Sequence, residues 1–234
     1  MLRSEINCSV AEALEILDHE RIRLPSWAYW TAERWREVGP EAAELREHGL
    51  GWNITDFGSG DFERVGLLIC VTRNGCLHHG RPATTKTYAE KVFVVGPGQL
   101  TPWHFHWLKT EDLINRAGGN LKVEVAWAAD DEISLSDRQV SVQVDGITRQ
   151  VAPGSTIAIG AGESITFPPR LCHKFQGGAS GGKVIAGEIS SLNDDATDNC
   201  FLGMSASRTP IVEDEPAKYL LFDEYPQFNP HINK

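Results

Sequence analysis

The sequence predicts a mainly β fold, a closed barrel or two-sheet jelly roll behind a helical N-terminal extension, and three observations predict it. From about residue 65 onward, short β-branched runs alternate with Gly, Pro and Asn-Gly turns. Asp145-Gly146, between Val144 and Ile147, is a two-residue hairpin signal, because a type I′ turn needs positive φ at both central positions. The residues before this region instead carry apolar side chains at helical spacing. No fixed-period repeat and no Pro- or Ser-rich linker divides the 234 residues. The expectation is therefore one domain over 1–234, with a helical extension (1–64) and a barrel (65–234).

Each element follows from local chemistry. Ile6, Val10, Ala13, Leu14 and Leu17 mark an amphipathic helix, with Ser4 as candidate N-cap and Glu5 in the first turn, where it suits the macrodipole. After Pro25 and the aromatic run 27–30, Thr31 caps a short helix carrying Trp35. Pro40 opens and Gly49 closes a further helical segment. Strands are expected at 65–72, 87–95, 99–107, 121–128, 141–144, 147–151, 155–159, 163–167, 171–175 and 183–189, with the Gly-rich stretch 177–182 as a hairpin loop.

Composition excludes several functions. A net charge of −10, from 22 basic and 32 acidic residues, opposes binding to nucleic acid or anionic membranes. No stretch has the apolar length of a membrane span, and Arg3, Glu5 and Glu12 interrupt any signal-peptide core, so a cytoplasmic protein is expected. The five cysteines never form a C-x-x-C pair, which points to reduced thiols.

The informative segment runs from Gly98 to Gly118. On an extended strand His104 and His106 share a face, while Trp103, Phe105 and Trp107 point into a hydrophobic layer on the other. A turn near Leu108 returns Glu111 to the same centre, and His173, in a second strand, offers a further imidazole. Cys172, its neighbour, faces away as buried wall. The pair His78-His79 and the separate His19, His48 and His231 read as solvated. Three imidazoles and a carboxylate leave two adjacent positions on an octahedral ion, room for two oxygens of one substrate. The hard carboxylate and the lack of thiolate favour Mn²⁺, while Fe²⁺, Co²⁺, Ni²⁺ and Zn²⁺ also fit.

The spacing of Gly98, His104, His106, Glu111 and Gly118 resembles the first motif of the cupin superfamily, and Gly162, Pro168 and His173 resemble its second. Arg170 stands where that motif usually has Gly, and Gly177 where it has Asn. The resemblance implies a cupin-type jelly-roll barrel. Segments 23–25, 29–31, 88–91, 104–107, 115–120, 187–190 and 193–199 resemble, more narrowly, the D-lyxose isomerase family. That implies a manganese-dependent homodimer interconverting D-lyxose and D-xylulose, with D-mannose and D-fructose as secondary substrates, through a metal-stabilised cis-enediolate.

Such chemistry moves a proton between C1 and C2, which requires a carboxylate and is helped by a cation beside the developing oxyanion. Lys109, between His106 and Glu111, is the expected cation. The resemblance places the base carboxylate in the late acidic segment, where Glu213 is the first choice and Glu215 the second. Lys91 is expected to point into the barrel toward sugar hydroxyls, and Trp30 is assigned to the sugar as well. The 193–199 stretch lacks the Gly and terminal Glu of an EF-hand loop and reads as a structural turn. The same ligand set also suits an Fe(II)-dependent cupin dioxygenase, or a non-catalytic sugar-binding cupin in which the metal staples the barrel.

Overall fold

A computed structural model describes residues 1–78, 81–82, 86–194 and 197–227. The N-terminal region forms α1 (Arg3–His19), a 3-10 turn (Ser26–Tyr29), α2 (Ala32–Glu37), a second 3-10 turn (Pro40–Ala42) and α3 (Ala43–Glu47). Strands follow as β1 (Gly51–Thr55), β2 (Leu67–Arg73), β3 (Leu77–His78), β4 (Arg81–Pro82), β5 (Tyr88–Val95), β6 (Leu100–Phe105), β7 (Glu111–Gly118) and β8 (Leu121–Trp127). The remainder are β9 (Val140–Val144), β10 (Ile147–Val151), β11 (Ser155–Ile159), β12 (Ser164–Phe167), β13 (Leu171–Gly177), β14 (Val184–Ser191) and β15 (Cys200–Phe201), before a last 3-10 turn (Phe222–Glu224).

Two antiparallel sheets face each other. The larger has the order β1-β2-β5-β14-β7-β12-β9-β10 and the smaller β11-β8-β13-β6-β15. Strand alternation decides what each face carries. On β5, Phe93 and Val95 turn inward to meet Val123, Val125 and Phe175 of the small sheet, while Val94 turns outward. On β14, Val184 and Ala186 face in and Ile185 faces out. The outward residues meet Ile6, Val10, Ala13 and Leu17 of α1, all fully buried. Each Ile, Val or Leu among them taken from water contributes about 1.5–3 kcal/mol. The helix therefore backs the strands that carry the interior site.

The differences from sequence expectation are local. The N-cap of α1 is Leu2, whose N–H donates to Glu5 Oε2 at 2.7 Å; Ser4 lies within the first turn and its hydroxyl donates to Asp214 Oδ2 instead. Thr31 does cap α2, accepting from Arg34 N. The helical region ends at Glu47, and β1 then forms the edge of the large sheet by pairing with β2. The 177–182 stretch is not a hairpin: β13 pairs with β6 and β8, β14 with β5 and β7, so these glycines carry the chain from one sheet to the other. Asp145 and Gly146 both take positive φ, as the type I′ turn requires.

Candidate active site

The two sheets bring their polar residues together in the interior. His173 on β13 lies opposite His104 on β6, whereas Phe175 lies opposite Thr101, so β6 carries an extra residue in a bulge. Pro102, with no N–H to lose from the ladder, lies in that bulge. His104, His106 and His173 come from the small sheet and its margin, and Glu111, the first residue of β7, comes from the large one. All four are buried, and their ligand atoms lie within 4.8 Å of one another.

Each imidazole is oriented through its Nδ1–H. His104 donates to the Pro102 carbonyl at 2.8 Å, His106 to the Asp198 carbonyl at 2.7 Å and His173 to the Leu171 carbonyl at 3.1 Å. This fixes the tautomer and leaves Nε2 with its lone pair toward the centre. Phe201 stacks on His104 and Phe167 on His173, with centroids 4.9 and 4.0 Å apart, which locks the ring planes. The Nε2 atoms of His106 and His173 are buried without a hydrogen-bond partner. Buried nitrogens are rarely left so, and their lone pairs converge beside Glu111, 3.4 and 2.9 Å away. This donor set fits a divalent cation.

Electrostatics agree. Burial, reinforced by His173 and His106, lowers the His104 pKa well below its ordinary value and keeps that imidazole neutral, the form a ligand needs. Burial opposes ionisation of Glu111, but the Lys109 ammonium beside it outweighs that and holds the carboxyl well below the usual carboxylate range.

Beside this cluster lie Lys109, Lys91 and Glu188, all buried. Lys109 Nζ is 2.7 Å from Glu111 Oε2, 2.9 Å from Glu188 Oε1 and 3.2 Å from Asn193 Oδ1. Lys91 Nζ is 2.9 Å from Asn193 Oδ1 and 3.5 Å from Glu188 Oε2. All three charged side chains line one cavity with His104, His106 and Glu111. Its remaining wall is apolar at Phe57, Phe93 and Phe175 and polar at Asn53, Thr55 and Asn199.

The structure does not bring the other expected site residues here. Glu213 is exposed and bonded to the buried guanidinium of Arg3, and Glu215 accepts from Asn7 Nδ2 at 2.6 Å, so both fasten the C-terminal segment to α1. Trp30 packs edge-on against Trp35 in the helical layer, 5.2 Å between centroids, and does not line the cavity. Sequence reasoning missed Glu188 as a site residue. Its signal was parity: it shares a face with Val184 and Ala186, which point into the core. The 193–199 stretch positions the site more than expected. Asp198 accepts from the backbone N–H groups of Leu108 and Lys109, both at 2.9 Å, while its carbonyl orients His106.

Smaller expectations resolve in the same way. Arg170 takes a φ of 67°, the left-handed conformation for which a Gly is usual, and pairs with Glu132. At Gly177 a Cβ would come within 2.2 Å of the Gly96 carbonyl, so only glycine fits. Cys172 is buried on the far side of β13, where burial raises its thiol pKa to about 12. The outer face of β6 is less apolar than expected, since Lys174 lies over Trp103 and Arg170 over Phe105. His48 is packed rather than solvated, with Nδ1 donating to the Asn74 carbonyl at 3.0 Å, whereas His19 is exposed. The side chain of His78, and His79 and His231, lie outside the described residues.

Residues 1–225 match the family model described as D-lyxose isomerase. The chain is 41% identical over 229 residues to a D-lyxose/D-mannose isomerase of Escherichia coli O157:H7, covering 97% of this chain and 100% of the relative. It is 38% identical over 229 residues to one from Serratia proteamaculans, covering 97% and 99%. The L-ribose isomerase of Cellulomonas parahominis, solved with L-ribose, superposes with a TM-score of 0.60 at 19% identity, over 91% of this chain and 98% of that one. An L-ribose isomerase from Acinetobacter sp. DL28 gives a TM-score of 0.60 at 16% identity over the same shares of the two chains. Both likenesses show a shared fold.

Proposed function

The chain belongs to the D-lyxose isomerase family, and from that membership we propose that it interconverts D-lyxose with D-xylulose, and D-mannose with D-fructose, as a metal-dependent ketol-isomerase. The observation that carries this reading is one cavity in which a divalent-ion ligand set, a buried carboxylate and two ammonium groups converge. His104, His106, Glu111 and His173 would hold the ion, with Mn²⁺ favoured by the hard carboxylate and the absence of thiolate. When bound, the ion would supply Lewis-acid stabilisation of the negative charge that develops on the sugar oxygens.

The chain's own residues supply the proton chemistry. Among the described residues of the cavity, Glu188 is the carboxylate not committed to the ligand set, so it takes the proton from C2 of the open-chain aldose and returns it to C1 while the O2 hydroxyl proton passes to O1. This role passes to it from Glu213 and Glu215, which are held on the surface by α1. Lys109 and Lys91 flank the two oxygens of Glu188 and keep that carboxylate oriented. Lys91 also faces the cavity, where it binds sugar hydroxyls. The apolar wall around Phe93 and Phe175 excludes water from the proton path. The reading includes a homodimer, as the family resemblance implies, and a cytoplasmic location; no helix among the described residues is long and apolar enough to cross a membrane.

An anaerobic panel of aldoses with Mn²⁺, read by product NMR in D₂O, tests this. Ketose formed from D-lyxose without oxygen, carrying some deuterium at C1, is the expected result. Turnover that requires oxygen would instead point to a dioxygenase. Sugar binding without turnover would reduce the protein to a binding module.

A further inference from the structure

Glu188, Lys109, Asn193 and Lys91 form a closed ring. Glu188 Oε1 meets Lys109 Nζ at 2.9 Å, Lys109 meets Asn193 Oδ1 at 3.2 Å, Asn193 Oδ1 meets Lys91 Nζ at 2.9 Å, and Lys91 returns to Glu188 Oε2 at 3.5 Å. Three of the four members line the cavity; Asn193 does not, and stands behind the two lysines. Its amide oxygen receives both ammonium groups without itself bringing a negative charge beside the carboxylates of Glu111 and Glu188.

Asn193 is itself clamped. The side-chain amide of Asn74 bonds both of its backbone groups, Oδ1 accepting from Asn193 N at 3.2 Å and Nδ2 donating to Asn193 O at 3.1 Å. Asn74 is in turn tied to the helical extension through His48, whose Nδ1 donates to the Asn74 carbonyl at 3.0 Å. Both asparagines are buried. A buried polar chain so fully bonded holds its members in one arrangement.

We propose that Asn193, clamped by Asn74, is a positioning residue that holds the Lys91 and Lys109 ammonium groups against Glu188 and thereby sets the orientation of the carboxylate that moves the proton. This rests on the isomerase reading above. Without the amide oxygen, Lys91 and Lys109 would lose the acceptor they share, and the Glu188 carboxylate between them would turn to compensate. Carboxylate orientation governs proton transfer more than substrate affinity, so kcat should fall and KM should move little.

The test measures D-lyxose turnover and bound Mn²⁺ for the wild type, Asn193→Leu, Asn193→Asp and Asn74→Ala. Asn193→Leu keeps the side-chain size and removes the acceptor; kcat should fall about 10- to 100-fold with Mn²⁺ content retained and KM within about threefold. Asn193→Asp restores an acceptor and should recover to within about fivefold of wild type, which a space-filling role would not produce. Asn74→Ala should give a smaller loss of kcat of the same kind. If Asn193→Leu is insoluble, Asn193→Ser, too short to reach either ammonium, is judged by the same criterion. Wild-type kcat in Asn193→Leu or Asn193→Ser, equal losses in the Leu and Asp variants, or a loss that follows Mn²⁺ content would each overturn the proposal while leaving an active wild-type isomerase. A wild type without isomerase activity would overturn both the proposal and the reading beneath it.

Discussion

Replacing Glu188 by Gln tests the site's charge balance and its chemistry together. In the cluster two buried ammonium groups, Lys91 and Lys109, face two buried carboxylates, Glu111 and Glu188. The Gln variant keeps the side-chain size but, among the described residues, removes one of the two carboxylates that face these two cations. Its new amide N–H₂ must also replace either the oxygen 2.9 Å from Lys109 Nζ or the one 3.5 Å from Lys91 Nζ, setting donor against donor. Removing one partner of a buried ion pair costs about 3–5 kcal/mol. At about 2–4 °C per kcal/mol for a chain of this length, chelator-treated Glu188→Gln should melt roughly 6–20 °C below the chelator-treated wild type. Loss of the proton carrier should lower kcat by about 10²–10⁴. Thermal unfolding with chelator gives the first quantity, and initial rates of ketose formation with Mn²⁺, well below the variant's melting point, give the second. Turnover within about tenfold of wild type would refute Glu188 as the proton carrier, even in a variant that melts early. Unchanged melting would refute the charge count.

Other consequences are separately measurable. A ligand present at about 100 times its Kd stabilises the folded state by about 2.7 kcal/mol, so chelation of a Mn²⁺-loaded sample should lower its melting temperature by roughly 5–11 °C; His173→Ala should abolish the difference. Glu213→Gln should keep kcat within about twofold, because Glu213 is 59% exposed and bonded to Arg3; a loss above about 100-fold would return the proton carrier to the late acidic segment. Asp56 gives a pH signature. Burial raises its pKa, but hydrogen bonds from Thr209 and from the Gly58 and Gly60 N–H groups outweigh this and hold the carboxyl below its ordinary value. Its folded pKa is therefore depressed. The stabilisation it provides is present above the unfolded value of roughly 3.9 and is lost as pH falls through the lower folded value. Denaturant unfolding should show Asp56→Asn less stable than wild type by about 1 kcal/mol at neutral pH, a gap that closes in strong acid.

How much of this architecture was legible depended on whether one strand or two were needed to see it. His104 and His106 stand out because a single extended segment puts both on one face, and the Asp145-Gly146 turn stands out because its backbone demand is local. Lys109 lies between His106 and Glu111 in the chain and could not be far from them. β1 was hidden because its five residues carry no clear alternation, being buried along nearly their whole length. Glu213 and Glu215 attracted attention as an acidic run, yet that run is spent on Arg3 and Asn7 of α1, a contact spanning nearly the whole sequence.

Glu188 required both strands. Alone, Gly187-Glu188-Ile189-Ser190 reads as the polar end of a strand, and only the parity it shares with Val184 and Ala186 turns the carboxylate inward. Lys91 has the same parity as Phe93 and Val95, and in the antiparallel pairing of β14 with β5 these two charged residues stand directly opposite each other. Opposite charges at facing inward positions of neighbouring strands are costly to bury unless each satisfies the other. Their joint presence therefore marks a polar interior. That interior adjoins the His104, His106, Glu111 and His173 cluster because β14 pairs on its other edge with β7, where Ser190 lies opposite Glu111. β14, inside the large sheet, thus joins the carboxylate proposed to move the proton to the strand that supplies Glu111. A change of register at β14 would separate the two functions without altering any residue in either.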